Sequence, residues 1–280
     1  MSPLDLLVSV LVVAAMSSVG LDIDAKRIES VRATRRLLPA IFLVNYVGVP
    51  LVALGAAALL PVDAQVREGV LLCALAPGGA SATLIAARMR ADAAVAAAVV
   101  IAMTATSVVL TPLLVAAVLG GGDASTMFAV AGRAGLTALA YQALPLALGV
   151  LLGRRHPGFA ARLLPWTSRT ANAALAILVV GLLATRSAEL LAVGVAGLTL
   201  ALVVTVAGLG LGALAAPRAP ESTRMAIGVT TTIRSLSLAL VIAAHHFPHP
   251  ATTQGILVYG LLMYVVTLGL AQWRAPRDRP

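Results

Sequence analysis

The chain has 280 residues, of which 60% are hydrophobic and 11% are charged; its formal net charge is +9 and its mean hydropathy is +0.99. This composition excludes a soluble globular domain and indicates a membrane protein with several spans. The single cysteine, Cys73, excludes an intrachain disulfide and a Cys/His metal cluster. The arginines lie mainly between apolar runs, so we interpret them as signals of membrane topology and expect no nucleic-acid partner.

Nine apolar runs of the sequence are long enough to cross a bilayer. They lie near residues 4–21, 37–60, 68–88, 93–119, 126–152, 165–185, 188–215, 222–246 and 253–273. The sequence therefore predicts an all-α polytopic membrane protein with nine transmembrane helices.

The loops between these runs differ in their content of basic residues. One set of alternate loops holds sixteen Lys and Arg residues, five of them in 22–36, whereas the other set holds two. Because basic residues favour the cytoplasmic side, we expect the N-terminus outside and the C-terminus in the cytoplasm. The expected location is the inner (plasma) membrane.

The third run is interrupted near its centre by Pro77-Gly78-Gly79. Proline lacks a backbone donor and glycine disfavours a helix, while an unpaired backbone group in lipid is costly. One interpretation is a proline kink packed by the glycines. The other is a helix broken at a polar pocket, and we favour it because Ser81 and Thr83 follow directly.

The eighth run carries Arg234 at its centre, shortly after Thr230-Thr231-Thr232. A charge at that depth costs about 2.5–3.5 kcal/mol on insertion scales and needs a partner. The 11 carboxylates all fall at or outside the ends of the predicted spans, which excludes a proton relay built on buried acids. Arg234 therefore either caps the carbonyl groups of a broken helix or faces a bound anion. The threonine run is a candidate for a second break.

Runs three and eight cross the membrane in opposite directions, as expected for an inverted repeat with a binding site between two discontinuous helices at the midplane. Asn45 in run two is a further candidate, because an unpaired amide in hydrocarbon is costly. We expect most other hydroxyls of the spans to bond within their own helix or between helices. His245, His246 and His249 are interpreted as part of an outer loop rather than as a metal site.

Six segments of the sequence carry motifs of one known family. They are 16–21, 45–50, 76–81, 90–92, 111–114 and 234–240, and the segment with Pro-Gly-Gly is the most specific. Together they resemble the bile acid:sodium symporter family over nearly the whole chain. The resemblance implies a nine-span member with a core domain (about 37–119 and 188–273) and a panel domain (about 4–21 and 126–185). It also implies two crossing broken helices and an elevator-type alternating-access cycle.

The resemblance also implies positions for sodium ligands, and several of them differ here. Where sodium-coupled members of the family have a Ser-Asn pair, this chain has Ala82-Thr83, and where they have two hydroxyl residues it has Ala96 and Val100. The position of a glutamate shared by both sodium sites is occupied by Thr230, and the positions of two glutamines are occupied by Asn45 and Arg234. The candidate sodium ligands are Thr83, Thr230, Asn45 and Thr104. Because a hard cation favours several oxygen ligands with negative charge, we hypothesise that Arg234 replaces a bound sodium ion. Transport would then depend weakly on sodium or not at all.

These observations predict a secondary transporter of a small organic anion, with the lipid bilayer as its other partner and no cofactor beyond the candidate sodium ion. Its expected substrate-binding residues are Arg234, Asn45, Ser81, Thr83, Thr231, Thr232 and Ser235, together with the backbone freed at Pro77, Gly78 and Gly79. The alternatives are a sodium-coupled symporter of bile-acid-like or other organic acids, and an efflux carrier. An integral membrane enzyme is a distant alternative, because such chemistry usually needs buried acids, a metal site or an activated nucleophile.

Overall fold

The computed structural model describes residues 3–23, 25–120, 132–191 and 193–274. The loop expected at 121–123, the first residues of the span expected at 126–152, and the C-terminal arginines Arg277 and Arg279 lie outside these ranges.

The described residues are mainly helical and contain no strand, which confirms the prediction of an all-α membrane protein. In chain order the helices are α1 (Pro3–Leu21), α2 (Ala25–Thr34), α3 (Leu38–Leu59), α4 (Ala64–Ala74), α5 (Ala82–Arg88), α6 (Ala93–Leu119), α7 (Gly132–Arg155), α8 (Pro157–Leu191), α9 (Gly194–Leu214), α10 (Glu221–Thr232), α11 (Leu236–His246) and α12 (Pro250–Arg274).

Six helical segments of the described residues are long and apolar enough to cross a membrane. They are α3, α6, α7, α9, the α10–α11 pair taken together (Glu221–His246), and α12. The apolar part of α1, Leu6–Leu21, is shorter. The third predicted run is divided between α4 and α5, so it contains no uninterrupted helix of spanning length. The count of nine crossings and the inverted repeat stay predictions.

Local sequence explains where several helices begin. Asp63 accepts hydrogen bonds from the backbone N–H groups of Gln65 and Val66 at the start of α4. Asp92 does the same for the first turn of α6. These carboxylates satisfy donors that have no partner within the helix and favour the positive end of its dipole.

Two helices contain a single π-helical turn, at Val44–Gly48 in α3 and Leu139–Ala143 in α7. Each turn ends two residues before a proline, Pro50 or Pro145. Proline cannot donate to the carbonyl group four residues earlier, and its ring crowds that group, so the helix widens there. Each widened turn carries one buried amide side chain, Asn45 or Gln142.

The most extensive packing of the helices falls into two groups, which meet mainly where α1 contacts α11. Helix α1 packs against α7 and α8, whereas α9 packs against α3, α10 and α12, and α12 packs against α4. The α10–α11 segment lies at the centre of the bundle. Of its most apolar stretch of 18 residues, 94% are buried, whereas the corresponding share is at most 56% in the other spanning segments. Large apolar side chains such as Leu51, Leu59 and Leu136 are exposed on the outside, where lipid would cover them.

Candidate functional site

The chain leaves the helical conformation at 75–81, between α4 and α5, and again at 233–235, between α10 and α11. The break expected at Pro77-Gly78-Gly79 is therefore present. The second break begins one residue later than the threonine run. Thr230 and Thr232 stay helical because their hydroxyl groups donate to carbonyl groups of the preceding turn, those of Ala226 and Gly228.

The two breaks cross and bind each other through their backbones. The N–H of Gly79 donates to the carbonyl oxygen of Ile233 at 3.1 Å, and the N–H of Ser235 donates to that of Ala76 at 2.8 Å. A Cβ atom at Gly79 would lie 2.6 Å from the carbonyl oxygen of Arg234. Glycine is therefore required at 79 by the close approach of a second backbone.

Hydroxyl groups of α6 satisfy carbonyl groups that the first break releases. Thr111 donates to the carbonyl oxygen of Leu75 at 2.9 Å, and Thr104 donates to that of Gly78 at 3.2 Å. Gly78 has φ +96°, a left-handed conformation that favours glycine. The break is thus built into the packed interior and does not expose unpaired backbone to lipid.

The guanidinium group of Arg234 lies between the end of α4 and the π-helical turn of α3, with the residue only 1% exposed. Its Nε donates to the carbonyl oxygen of Cys73 at 3.2 Å, and Nη2 donates to those of Asn45, at 3.1 Å, and Ala74. Its Nη1 donates to Oδ1 of Asn45 at 2.7 Å and to the carbonyl oxygen of Thr231 at 3.4 Å. All five N–H donors therefore have partners, and every partner is a neutral carbonyl oxygen.

Asn45 holds the guanidinium in place. While its Oδ1 accepts from Arg234, its Nδ2 donates to the carbonyl oxygen of Ile41 at 2.9 Å and to Oγ1 of Thr231 at 3.1 Å. Cys73 and Ala74 end α4, where the helix dipole is negative, so the positive charge is favoured there. The capping role considered from the sequence accounts for these contacts.

A cavity of about 350 Å³ lies beside the crossing. Its walls come from α1, the first break and α5, α8, the second break and the start of α11, and from α12. Two hydrogen bonds between side chains tie these walls together, Ser81 with Tyr264 at 2.8 Å and Ser18 with Ser168 at 2.6 Å. The hydroxyl and amide side chains that line the cavity are Ser18, Ser81, Thr83, Ser168, Asn172, Ser235, Ser237 and Tyr264.

A model of the sodium bile acid symporter family matches residues 9–193, which is more than half of the chain. The protein belongs to the sodium bile acid symporter family. Members of this family are transporters, so the protein is a multi-pass membrane transporter that carries a small solute across lipid. A search of curated proteins finds no match. The family match ends before the second break and does not include Arg234.

The substrate-binding residues expected from the sequence divide into two groups in this family member. Ser81, Thr83, Ser235 and the backbone near Gly79 line the cavity together with Arg234. The others lie behind the cavity wall: Asn45 and Thr231 contact Arg234, and Thr232 bonds within its own helix. The carbonyl oxygen of Gly78 accepts a hydrogen bond from Thr104 of α6.

The four candidate sodium ligands donate to separate groups. Thr83 donates to the carbonyl oxygen of Ala80, Thr104 to that of Gly78, and Thr230 to those of its own helix. Asn45 is engaged by Arg234. Among the described residues that line the cavity, Asp22 is the only carboxylate.

Sequence reasoning missed Ser18, Asp22, Ser168, Asn172, Ser237 and Tyr264 as cavity-lining residues. Ser168 and Asn172 are separated by four positions, so they lie on one face of α8. Two polar residues at that spacing in an apolar run are a signal that could have identified this wall.

Proposed function

We propose that the protein is a secondary transporter that binds a small organic anion in the cavity beside the helix crossing. The observation that carries the proposal is that Arg234 is among the residues that line this cavity and that its buried guanidinium has only neutral partners. The hydroxyl and amide groups of the walls supply hydrogen bonds to the solute.

The charge of Arg234 supports an anionic substrate even though its N–H donors are occupied. Neutral carbonyl oxygens satisfy hydrogen bonds without cancelling a net charge, so the positive potential extends into the cavity. An anion about 8 Å from the guanidinium gains about 2 kcal/mol at an effective dielectric constant near 20. Asp22 opposes this attraction on its side of the cavity, so we place the anionic group toward Ser81 and Ser235.

The cavity volume limits the size of the solute. An apolar cavity of about 150 Å³ binds benzene, so a cavity of this size encloses roughly a dozen non-hydrogen atoms. A steroid acid is too large for complete enclosure. The proposed substrate class is therefore a small carboxylate rather than a bile acid.

We propose an elevator-type cycle in which α1, α7 and α8 form the panel and the remaining helices form the core. The separate packing of α1 with α7 and α8 supports this division. The cavity lies between the two groups, so a movement of the core past the panel would carry the site across the membrane. We retain the expectation of an outer N-terminus and a cytoplasmic C-terminus.

The test is uptake of radiolabelled small carboxylates into proteoliposomes, with a variant that fills the cavity. Asn172 lines the cavity, whereas Thr170 is two positions away on the same helix and faces a different direction. We expect Asn172→Trp to reduce uptake at least tenfold and Thr170→Trp to leave it within twofold. Equal uptake by the two variants would show that the solute binds elsewhere.

Two alternatives differ from this proposal in coupling or direction. A sodium-coupled symporter requires uptake that rises with a sodium gradient. An efflux carrier requires faster release than uptake under equal gradients. Both measurements use the same proteoliposomes.

A further inference from the structure

The short helix α2 is held at the membrane surface by its connections. Three residues separate it from α1, and three more separate it from α3. Three residues span at most about 11 Å, so α2 cannot leave the boundary between the apolar spans and water. The many basic residues of 22–36 place this boundary on the expected cytoplasmic side.

Packing fixes the orientation of α2. The helix lies against α6, and Thr34 is buried at its end, where its hydroxyl group donates to the carbonyl oxygen of Ser30 at 2.8 Å. The turn that follows continues the helical path, since the N–H of Leu37 donates to the carbonyl oxygen of Thr34. The packing against α6 therefore determines which face of this segment is exposed.

Three arginines converge on that exposed face. Arg32, Arg35 and Arg36 follow the spacing i, i+3 and i+4, and together with Glu29 and Ala33 they line one concave surface. All three arginines are exposed, and none has a hydrogen-bond or ion-pair partner for its side chain among the described residues. Three positive charges against one carboxylate leave a net charge of about +2 on the surface.

A role in topology does not require this convergence. The positive-inside effect depends on the number of basic residues near the span ends and not on their arrangement. Like charges at i, i+3 and i+4 repel each other and destabilise a helix by about 0.2–0.5 kcal/mol per pair. A bound anion would offset that repulsion, and the planar fork of arginine matches the oxygens of a phosphate group.

We propose that Arg32, Arg35 and Arg36 form a binding site for the phosphate group of an anionic phospholipid. The headgroup is favoured over a soluble phosphate because α2 lies within about 11 Å of two apolar helices, at the depth where headgroups are present. The lipid would fix α2, which connects α1 to α3.

The experiment measures thermal unfolding of the purified protein in a neutral detergent, with phosphatidylglycerol or phosphatidylcholine added. A ligand that binds the folded state raises the melting temperature. We expect phosphatidylglycerol to raise the melting temperature by several degrees more than phosphatidylcholine. The R32Q/R35Q/R36Q variant should lose at least half of that difference.

The matched control removes three other exposed arginines from the same expected side, as R154Q/R155Q/R162Q. It should keep the full difference between the two lipids. Equal losses in both triple variants would reduce the effect to general surface charge and overturn the proposal. If inorganic phosphate alone raised the wild-type melting temperature as much as phosphatidylglycerol does, the proposal that the bound phosphate belongs to a lipid would be overturned.

If the triple variant is not recovered in folded form, Arg35→Gln with Arg155→Gln as its control carries the same test. This readout does not depend on transport. A failed uptake experiment and a failed lipid experiment are therefore distinguishable.

Discussion

Arg234 is a buried charged residue that is stabilised by hydrogen bonds to neutral groups and not by an acidic side chain. Its five donors are satisfied by the end of α4, by Thr231 in the last turn of α10 and by the side chain and backbone of Asn45. The neutral partners leave the positive charge in place while they remove the penalty of unpaired donors. Arg234 therefore acts both as a structural cap and as a source of potential, and the two roles can be separated by mutation.

We expect Arg234→Lys and Arg234→Met to differ in transport more than in stability. Lysine has three donors in place of five and methionine has none, so some carbonyl groups lose their partner in both variants, at about 1–3 kcal/mol each, and both variants should lower the melting temperature. Because lysine keeps the positive charge, the Arg234→Lys variant should retain measurable uptake at temperatures below its own melting temperature. The Arg234→Met variant, which lacks the charge, should show no uptake. Arg234→Ala should also abolish transport while the protein still inserts into the membrane. Equal loss in the lysine and methionine variants would show that the charge does not attract the substrate.

The two amides of the π-helical turns should respond to different extents to the same substitution. Asn45 has partners on both its oxygen and its nitrogen, whereas Oε1 of Gln142 is buried without a partner among the described residues. Asn45→Leu should lower the melting temperature strongly, because it removes the Oδ1 acceptor of the guanidinium and both hydrogen bonds that Nδ2 donates, to Ile41 and Thr231. Gln142→Leu should lower it less, because the loss of the two hydrogen bonds that Nε2 donates, to the carbonyl oxygen of Thr104 and to Oγ of Ser107, is partly offset by removal of an unpaired buried acceptor.

The measurement for this pair is thermal unfolding in one detergent, with uptake recorded in parallel. A melting temperature lowered as much by Gln142→Leu as by Asn45→Leu would contradict the prediction and indicate that Oε1 has a partner in the membrane-embedded protein, such as an ordered water molecule. A neutral Asn45→Leu variant would contradict the assigned role of the Asn45–Arg234 contact.

At the scale of elements, the crossing of the two breaks depends on Gly79. Its Cβ would meet the backbone oxygen of Arg234 at 2.6 Å, and a backbone atom cannot move aside as a flexible side chain can. We expect Gly79→Ala to separate the breaks, lower the melting temperature and abolish uptake. Gly55 in α3 is the control, because a Cβ there has no neighbour within 4 Å.

In the control, Gly55→Ala should leave uptake unchanged and raise stability slightly, since alanine favours a helix by about 0.5–1 kcal/mol over glycine. Thermal unfolding and proteoliposome uptake measure both variants. Normal uptake by Gly79→Ala would mean that transport does not require the close approach of the two backbones.

The sequence predicted the first break well because proline and glycine act through local backbone chemistry. It also identified Arg234, since a charge in an apolar run is visible without a structure. It placed the second break too early, because threonine hydroxyls can satisfy helix carbonyls as well as compete with them. The wall formed by Ser168 and Asn172 depends on which helices pack together, and apolar runs of similar composition do not specify their neighbours.

At the scale of the whole molecule, the position of the cavity links the fold to a mechanism. One wall comes from α1 and α8, and the opposite wall comes from the two breaks. A solute bound between them contacts both packing groups. The proposed movement of the core would therefore alter the contacts to Asn172 and Ser168 while those to Ser81 and Ser235 persist.

The role of sodium is a property of the whole transport cycle. A small cavity of about 40 Å³ has two oxygen-bearing side chains in its lining, Asp22 and Thr83, whereas its other lining residues, Val19, Ala80, Ala97, Val100 and Ile101, offer none. Hard cations favour several oxygen ligands with negative charge, and the fixed guanidinium of Arg234 repels another cation nearby. We therefore expect uptake of the substrate to change less than twofold when sodium is replaced by potassium or choline.

The control for this prediction restores the residue types that the family resemblance implies at two positions. Thr230→Glu introduces a carboxylate beside the crossing, and Arg234→Gln removes the competing cation. In the double variant the net charge of the site changes by about two units toward negative, which favours a cation in place of the guanidinium. We expect sodium to raise the melting temperature of the double variant and not that of the wild-type protein. A steep increase of wild-type uptake with a sodium gradient would contradict the assignment of Arg234 as a substitute for the ion.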